Sequence, residues 1–330
     1  MSKIFITGGA GYIGSHCVVS LIQNGYEPII LDNFSNSCVG VIKKLEIITK
    51  KKIIFYNLDI KNKKKLKLIF KKHNCSAVIH CAGLKSVKKS VQDPIKYFEN
   101  NIMTSLSLIE CMQEKKIFNL IFSSSATVYN FDQQLPWKET NNIGKTINPY
   151  GTSKYIIERI LQDLVKSDNR WRVGIARYFN PISNHCSGLI SDNFAKIPEN
   201  LLPYIVKVAQ KKLPYLKIYG KNYLTRDGTC IRDYIHVMDL AEGHVALLKK
   251  IKLKKGIQIY NFGSGKGLSV LDIIKGFQKY TGISIPFRFF QKRKGDLDVY
   301  FCCPKKAYKK LSWKVSRNLS QAILDIKTTI

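Results

Sequence analysis

The stretch PYGTSK places Tyr150 and Lys154 four residues apart at a point where a helix is expected to begin. Residues i and i+4 lie above one another on one helix face, so the ammonium can be held near the phenol oxygen. A free phenol titrates near pH ~10, and bringing it to neutrality needs roughly 4 kcal/mol, more than one ammonium supplies. The pair is therefore either a surface contact or part of a proton-transfer site that a second cation completes.

The first 180 residues alternate short apolar runs with polar helical stretches, a pattern typical of βαβ units. Near-continuous apolar strands predict a parallel sheet covered on both faces. The fold class is therefore α/β, with a Rossmann-type doubly wound sheet. The expected strands are 3–7, 27–31, 52–56, 77–81, 119–124 and 172–178, and the expected helices are 12–24, 62–72, 94–114 and 149–167.

The pattern changes after FNP at 179–181, where loops rich in proline and glycine separate short strands such as LKIYG and QIYNFG. This change predicts a smaller C-terminal α/β lobe. We expect a cofactor domain over 1–180 and a substrate lobe over 181–330, with an approximate boundary and room for the chain to cross back. Since no long linker separates them, they are expected to pack around a shared cleft.

Composition limits the class of protein. The 330 residues carry a formal charge of +31, which by itself favours a polyanion such as nucleic acid as partner. Only nine of the 54 basic residues are arginine, and the lysines are scattered in short groups. Because guanidinium is the group suited to phosphate and base contacts, we expect solvated lysine faces and no nucleic-acid partner.

The cysteines and the N-terminus indicate the compartment. Nine cysteines form an odd number without a CxxC pair, which favours reduced thiols over disulfides or zinc. The start MSKIFITGG passes at once from a short strand to glycines and leaves no room for the apolar part of a signal peptide. No run of eighteen apolar residues occurs. We expect a cytoplasmic protein without a metal site or a membrane contact.

The segment FITGGAGYIGSH carries Gly8, Gly11 and Gly14 between the first strand and the first helix. Such glycines let the backbone approach a phosphate, and the helix presents free N–H groups to it. Asp32 ends the second strand, where a carboxylate accepts hydrogen bonds from a ribose and repels a 2′-phosphate. The segment predicts NAD rather than NADP, and its nicotinamide would be the second cation beside Tyr150.

The segment FSSSATVY ends a strand with Ser125 at the sheet edge where ligands bind in open α/β sheets. Ser125 can hydrogen-bond the same substrate hydroxyl as Tyr150. A phenolate can remove a hydroxyl proton while hydride passes to nicotinamide, so the expected catalytic residues are Tyr150, Lys154 and Ser125. Asp59, after the third strand, could meet adenine or cap the helix that follows.

Segments along nearly the whole chain resemble the extended short-chain dehydrogenase/reductase family, in its branch that epimerises UDP-sugars. RDYIHVMDLA and RYFNP are the most selective of these segments, since the glycine turn and the YxxxK pair indicate only the superfamily. The resemblance implies reversible epimerisation of UDP-glucose and UDP-galactose at C4 through a transient 4-keto intermediate, with tightly bound NAD. It also implies a homodimer formed by helices 94–114 and 149–167. The segments are GGAGYIGSH, LDNFSNS, HCAGLKSV, FSSSATVY, NPYGTSK, ARYFNP, DGTCIRDYIHVMDLAEGH and YNFGSGKG.

The resemblance also implies two sets of ligand contacts. The expected NAD-binding residues are Gly8, Gly11, Tyr12, Ile13, Gly14, Asp32, Asn33, Asn36, Asp59, Ile60, Lys85, Asn100, Ser123, Tyr150, Lys154 and Tyr178. The expected UDP-sugar contacts are Ser125, Tyr150, Asn180, Asn200, Leu201, Tyr219, Arg232, Arg293, Asp296 and Tyr300.

The residues on the UDP-sugar side have alternative interpretations. Arg232 and Arg293 suit a diphosphate, although each alone is also typical of a surface arginine. Asp296 would accept from the uridine ribose, or else form a cap or a salt bridge. Tyr300 is bulky, and where the family places a large residue here it tends to exclude N-acetylated sugars.

The chain departs from the family pattern in the loop 181–201, at Cys81 in place of a bulkier residue, and at Asn130 in place of glycine. None of these changes removes a catalytic group. A related 4,6-dehydratase would need an acid/base pair where Ala126 and Thr127 stand. A noncatalytic dinucleotide-sensing or RNA-binding protein would have no need of the serine, tyrosine and lysine together.

Overall fold

The computed structural model describes residues 1–192, 198, 200–293 and 296–330. The strands are β1 (Lys3–Thr7), β2 (Glu27–Asp32), β3 (Ile54–Asn57), β4 (Cys75–His80), β5 (Asn119–Ser125), β6 (Arg172–Tyr178), β7 (Asn180–Ile182), β8 (Leu216–Tyr219), β9 (Ile231–His236), β10 (Gly256–Phe262), β11 (Gly267–Ser269), β12 (Phe287–Phe290) and β13 (Val299–Tyr300). The helices are α1 (Tyr12–Gln23), α2 (Gly40–Thr49), α3 (Lys63–Lys72), α4 (Val87–Gln92), α5 (Pro94–Glu114), α6 (Pro149–Ser167), α7 (Leu201–Ala209), α8 (Val237–Leu253), α9 (Val270–Thr281), α10 (Lys305–Leu311) and α11 (Leu319–Lys327).

The large sheet is parallel throughout, in the order β3-β2-β1-β4-β5-β6-β10. Neighbouring residues of β1 point to opposite faces, so Ile6 packs with α1 and α8 while Phe5 packs with α3, α5 and α6. Helices therefore cover both faces, and the predicted α/β, doubly wound fold class is confirmed. The strand order reverses between β1 and β4, which is where ligands bind in such sheets.

Local periodicity located most of the elements in the first 180 residues. The predicted strands 3–7 and 172–178 and the predicted helices 94–114 and 149–167 have the observed bounds. The helix α2 was not predicted from the sequence; Val39 at its N-cap provides no capping hydrogen bond, whereas Asn62 caps α3, which has the same length.

The placement of QIYNFG in the smaller lobe was wrong. These residues belong to β10, which pairs in parallel with β6 at the edge of the large sheet and buries Tyr260 and Phe262. A parallel neighbour needs a crossover connection, and α8 provides it by returning across the sheet face on which α1 lies.

The smaller lobe is built around β9. This strand pairs with β7 and β13 in parallel and with β11 in the antiparallel direction, while β8 and β12 form a separate pair. The helices α7, α9 and α11 close an apolar core around Ile205, Phe277 and Ile323. Because β7 begins two residues after β6 ends, the lobe starts at the carboxyl edge of the large sheet. None of the helices in the described ranges offers an apolar stretch long enough to cross a bilayer.

Candidate active site

At Gly8 and Gly14, the turn between β1 and α1 is packed too tightly for a side chain. Gly8 has φ +65°, and a Cβ on Gly14 would lie 2.1 Å from the Gly8 carbonyl oxygen. Gly11 is the N-cap of α1, and no side chain hydrogen-bonds the helix start. The first turn of α1 therefore presents backbone N–H groups beside a closely approaching backbone, which is the cradle that a pyrophosphate requires.

Asp32 holds this turn to the end of β2. Its Oδ2 accepts from the Ala10 N–H at 2.9 Å, and its Oδ1 accepts from the Phe34 N–H at 2.8 Å and from the Ser37 hydroxyl at 3.2 Å. A carboxylate has about four acceptor sites, so these three bonds leave capacity for a ribose hydroxyl. The neighbouring Asn33 and Asn36 are exposed on the loop that follows.

Asp59 does not cap the helix after β3. The cap of α3 is Asn62, whose side chain accepts from the Lys65 N–H, whereas Asp59 accepts from the Lys61 N–H at 2.9 Å in a short turn. The capping interpretation is therefore wrong, and Asp59 remains exposed beside the buried Ile60 at the carboxyl edge of the sheet.

Tyr12 and Lys85 connect the large sheet with the loop of the smaller lobe. The Tyr12 hydroxyl donates to the Ser183 carbonyl at 2.8 Å, and Lys85 lies over the Tyr12 ring while its Nζ bonds Asp192 at 2.8 Å. Asp192 also accepts from Asn200 at 2.6 Å. These contacts join two residues predicted on the cofactor side with one predicted on the substrate side. Ile13, next to Tyr12, is half-buried.

Tyr150 lies in the first turn of α6, next to Ser125 at the end of β5. The Asn148 side chain caps the helix by accepting from the Gly151 N–H at 2.8 Å. Burial raises the pKa of Tyr150 to about 12. A hydrogen bond with the Ser125 hydroxyl acts in the opposite direction but is the smaller effect. Ser125 is held in turn by bonds from the Thr127 N–H at 3.2 Å and the Thr127 hydroxyl at 3.0 Å.

Lys154 is buried one helical turn below Tyr150. Its Nζ donates to the Ser123 carbonyl at 2.8 Å and lies 5.9 Å from the centroid of the Tyr150 ring. Burial lowers the pKa of this ammonium to about 8. The protein groups by themselves therefore keep Tyr150 a neutral phenol at pH 7, and its ionisation requires a further positive charge in the cleft.

Tyr178, at the end of β6, lies beside Ser123 and His244. Its hydroxyl lies 2.6 Å from Ser123 Oγ and within hydrogen-bond distance of His244 Nε2. Ser123 Oγ in turn bonds Cys81 Sγ at 3.2 Å. The structure thus brings Ser123 and Tyr178 together with Lys154, and Cys81 and His244 belong to the same group.

On the substrate side, Arg232 and Asp296 form an ion pair, and Asp296 also accepts from the Tyr223 hydroxyl at 3.0 Å. Arg232 is 7% exposed and its guanidinium lies 4.5 Å from the centroid of the Tyr300 ring, so its interpretation as a surface arginine is wrong. The salt-bridge interpretation of Asp296 is confirmed. Arg293 is exposed and lies over the Tyr219 ring at 4.1 Å.

Tyr300 is fixed on several sides. Its ring lies parallel to that of Trp137 at 5.5 Å, and its hydroxyl donates to Asn180 Oδ1 at 3.2 Å. Asn180 is itself held by the Asp233 carbonyl at 2.9 Å. The bulk of Tyr300 is therefore held in place between Trp137 and the Arg232 guanidinium.

Comparison with known proteins assigns the family. Residues 4–263 match the model of the NAD dependent epimerase/dehydratase family. The chain belongs to this family. It is similar to the UDP-glucose 4-epimerase of Neisseria meningitidis serogroup C, with 47% identity over 98% of this chain and 96% of that protein.

Two solved structures of the family share the fold along the whole chain. The UDP-glucose-4-epimerase of Stenotrophomonas maltophila, with bound NAD and formylated UDP-arabinopyranose, is 38% identical with a TM-score of 0.97, covering 100% of this chain and 98% of that one. The UDP-glucose 4-epimerase of Bifidobacterium longum, in complex with NAD+ and UDP, is 40% identical with a TM-score of 0.96, covering 99% and 98%.

The departures from the family pattern have structural roles where they are described. Asn130 Oδ1 accepts from the Lys145 N–H at 2.8 Å, which ties two loop segments together. Cys81 joins the group behind Lys154. The loop 181–201 lies partly outside the described residues, at 193–197 and 199.

Sequence reasoning missed Asn101, which holds the loop after β4 in this epimerase/dehydratase family member. Its side chain accepts from the Leu84 N–H at 2.8 Å and donates to the Leu84 carbonyl and to Ser153 Oγ, while the predicted Asn100 only donates to Asn101. A signal was available, because the four-residue spacing of Tyr97, Asn101 and Ser105 places Asn101 on the buried face of α5. No sequence pattern marks Trp137 or Tyr223. Trp137 packs on Tyr300 and Tyr223 donates to Asp296, and both contacts join residues that are distant in the sequence.

The low pKa of Lys154 predicts a pH dependence of stability. In nucleotide-free protein the folded pKa is about 8 and the ordinary value is 10.5, so burial of the ammonium costs stability below pH 8 and the cost disappears as pH rises. From pH 8 to 9 we expect the free energy of unfolding to rise by about 1 kcal/mol relative to Lys154→Met. Urea unfolding at both pH values measures this.

The matched control is Lys166→Met, which removes an exposed lysine from the same helix. It should follow the wild type at both pH values. Parallel behaviour of wild type and Lys154→Met between pH 8 and 9 would show that Lys154 is not desolvated.

Proposed function

We propose that the protein is an NAD-dependent UDP-glucose 4-epimerase that interconverts UDP-glucose and UDP-galactose through a transient 4-keto sugar. The observation that carries the proposal is the convergence of Ser125, Tyr150 and Lys154 at the carboxyl end of β5, beside the glycine turn of β1. The family and the relatives named UDP-glucose 4-epimerase support the same reaction.

The glycine turn at Gly8 and Gly14 fits a dinucleotide. Because neither residue carries a side chain, the backbone of the turn and the start of α1 pack closely together and can present their N–H groups to a pyrophosphate. Bound there, NAD would supply a nicotinamide ring that can reversibly accept hydride from C4 of the sugar. For NAD we propose contacts from the predicted cofactor residues, with Asp32 at the adenosine ribose and Lys154 at the nicotinamide ribose. The other proposed contacts are Tyr12, Ile13, Asn33, Asn36, Asp59, Ile60, Lys85, Asn100, Ser123 and Tyr178.

Tyr150 takes the proton from the sugar 4-hydroxyl and later gives it back to the same oxygen. Ser125 donates a hydrogen bond to that oxygen and so orients it. Lys154 remains protonated at neutral pH and, together with the positive charge of the cofactor, lowers the free energy of the phenolate.

The serine end of β5 distinguishes this reaction from elimination of water. Ala126 and Thr127 stand beside Ser125, and Thr127 uses its hydroxyl to bond Ser125 Oγ at 3.0 Å. Neither side chain is a carboxyl that could act as the acid and base of a dehydratase. The site therefore supports epimerisation.

For the nucleotide part of the substrate we propose Arg232 and Arg293 at the diphosphate and Asp296 at the uridine ribose. Bidentate guanidinium groups suit phosphate oxygens, and the ion pair with Asp296 holds Arg232 in its buried position. Asn180, Asn200, Leu201 and Tyr219 are the remaining proposed contacts, at the ends of β7, α7 and β8.

A homodimer and a cytoplasmic location are further parts of the proposal. The helices α5 and α6 pack side by side, and α5 exposes Ile95 and Met103, which suits an interface on this face. The nine cysteines, all in the described ranges, are free thiols, which suits a reducing compartment. The scattered lysines support no nucleic-acid partner.

The first test is a coupled assay that follows UDP-glucose formation from UDP-galactose without added NAD. Tyr150→Phe should lower kcat by about 10²- to 10⁴-fold, because it removes the proton acceptor, while NAD still copurifies. Tyr155→Phe, on the same helix, is the control and should retain activity. Full activity in Tyr150→Phe, or none in the wild type even with NAD supplied, would refute the proposal and favour a noncatalytic dinucleotide-binding protein.

The proposed diphosphate contact is tested by Arg293→Ala. Loss of a charged hydrogen bond should raise the KM for UDP-galactose about tenfold or more and leave kcat unchanged, since the bond forms equally in the ground and transition states. Arg288→Ala is a matched control, because Arg288 also lies over a tyrosine ring, that of Tyr215, at 4.4 Å. Equal KM values for the two variants would remove Arg293 from the site.

The rigid packing of Tyr300 supports a preference for sugars without an N-acetyl group. Tyr300→Ala should raise kcat/KM for UDP-N-acetylgalactosamine relative to UDP-galactose by about tenfold, because it opens space in the pocket. Tyr300→Phe keeps the ring and loses only the bond to Asn180, so it should leave this ratio unchanged. Wild-type turnover of both sugars at equal rates would contradict the preference.

A further inference from the structure

A group of metal-binding side chains lies behind the proposed nicotinamide site. Cys17 Sγ, Cys81 Sγ and a ring nitrogen of His244 all lie within 4.8 Å of one another. Cys17 and His244 have no exposed surface, and Cys81 is half-buried. The epimerisation chemistry proposed above uses none of these three side chains.

The fold brings the three residues together from distant parts of the chain. Cys17 is in the middle of α1, Cys81 directly follows β4, and His244 is in α8. The helices α1 and α8 pack against each other on one face of the sheet, and β4 ends beside the glycine turn. Because no two of the ligands are near in sequence, spacing rules for zinc sites could not detect them.

We propose that Cys17, Cys81 and His244 bind a thiophilic divalent cation of the zinc class. Two thiolates and one imidazole are a ligand set that zinc prefers, and with metal bonds of about 2.3 Å to sulfur a tetrahedral site needs ligand atoms about 3.8 Å apart. The present separations lie within 4.8 Å, so side-chain movements of about 1 Å close the site. The ion's charge is balanced by the two thiolates.

An oxygen atom is available for the fourth position. Ser123 Oγ lies 3.2 Å from Cys81 Sγ, and the Tyr178 hydroxyl lies 2.6 Å from Ser123 Oγ and within hydrogen-bond distance of His244 Nε2. The other ring nitrogen, Nδ1, lies 2.9 Å from the Leu240 carbonyl oxygen. That contact makes Nδ1 the N–H donor, so the lone pair on Nε2, which faces the Tyr178 hydroxyl, is the one that a metal would use in its place.

Cobalt binding tests the site without reference to turnover. Tetrahedral Co²⁺ with thiolate ligands absorbs visible light. Two preparations of the reduced protein, one as purified and one after nucleotide removal, are titrated with Co²⁺, and Zn²⁺ is then added to displace it. We expect one equivalent to bind with intense visible bands that zinc abolishes. Absence of these bands from both preparations would overturn the proposal.

Variants assign the ion to these ligands. Cys17→Ser and Cys81→Ser should each weaken cobalt binding at least about tenfold and reduce the thiolate bands. His244→Gln should shift the visible bands, since an oxygen or nitrogen of different field replaces the imidazole. Cys111→Ser is the control, because Cys111 is equally buried but lies on the opposite face of the sheet, and it should bind cobalt as the wild type does.

Thermal unfolding without metal checks that each variant folds. Zn²⁺ should raise the unfolding temperature of the wild type and of Cys111→Ser, and raise that of Cys81→Ser by less, because an ion that binds the folded state stabilises it in proportion to how tightly it binds. Visible bands that persist in a folded Cys81→Ser variant would place the ion elsewhere and refute the site.

Discussion

The contact between the first turn of α1 and the glycine turn determines where the rest of the site lies. Gly14 packs against the backbone of Gly8 so closely that no Cβ fits between them. This approach fixes α1 against the sheet. It thereby places Tyr12 against the Ser183 carbonyl of the smaller lobe and Cys17 against α8. The same backbone contact therefore positions the start of α1, the Tyr12 contact with the smaller lobe, and Cys17 in its group with Cys81 and His244.

A second constraint is how buried charges are compensated along one face of α6. Tyr150, Lys154 and Glu158 follow one another at four-residue spacing and all point inward. Glu158 is paired with Arg177 through two bonds of 2.7 and 3.1 Å and accepts from Ser124, so this charge is satisfied. Lys154 has the carbonyl of Ser123, and burial lowers its pKa. The well-paired Glu158 anchors the helix, and the poorly compensated Lys154 is available for chemistry.

Polar contacts hold the side chains around the proposed site. Lys85 and Asp192 connect the large sheet with the loop that also holds Asn200, and the Arg232–Asp296 pair lies within the smaller lobe beside Tyr300. Both sets of contacts contain charged or amide side chains, which suit phosphate, ribose or hydroxyl groups. Such side chains suit the directed hydrogen bonds of a nucleotide sugar, and the apolar cores of the sheet and the lobe keep them in position.

The sequence determined many of the elements and the alignment of Tyr150 with Lys154, because these depend on local patterns. The period of apolar residues located β1, β6, α5 and α6, the glycines marked the turn, and the four-residue spacing aligned Tyr150 with Lys154. What the sequence left open depends on contacts between distant segments. Local pattern could not show that β10 returns to the large sheet, that Asp296 pairs with Arg232, or that Asn101 rather than its neighbour holds the loop.

Only the tertiary structure brought Cys17, Cys81 and His244 together and showed that Lys154 is desolvated. Which side chains are buried, and which distant side chains touch, depends on how the helices pack on the sheet. That packing results from all the long-range contacts of the chain together, so no short stretch of sequence determines it.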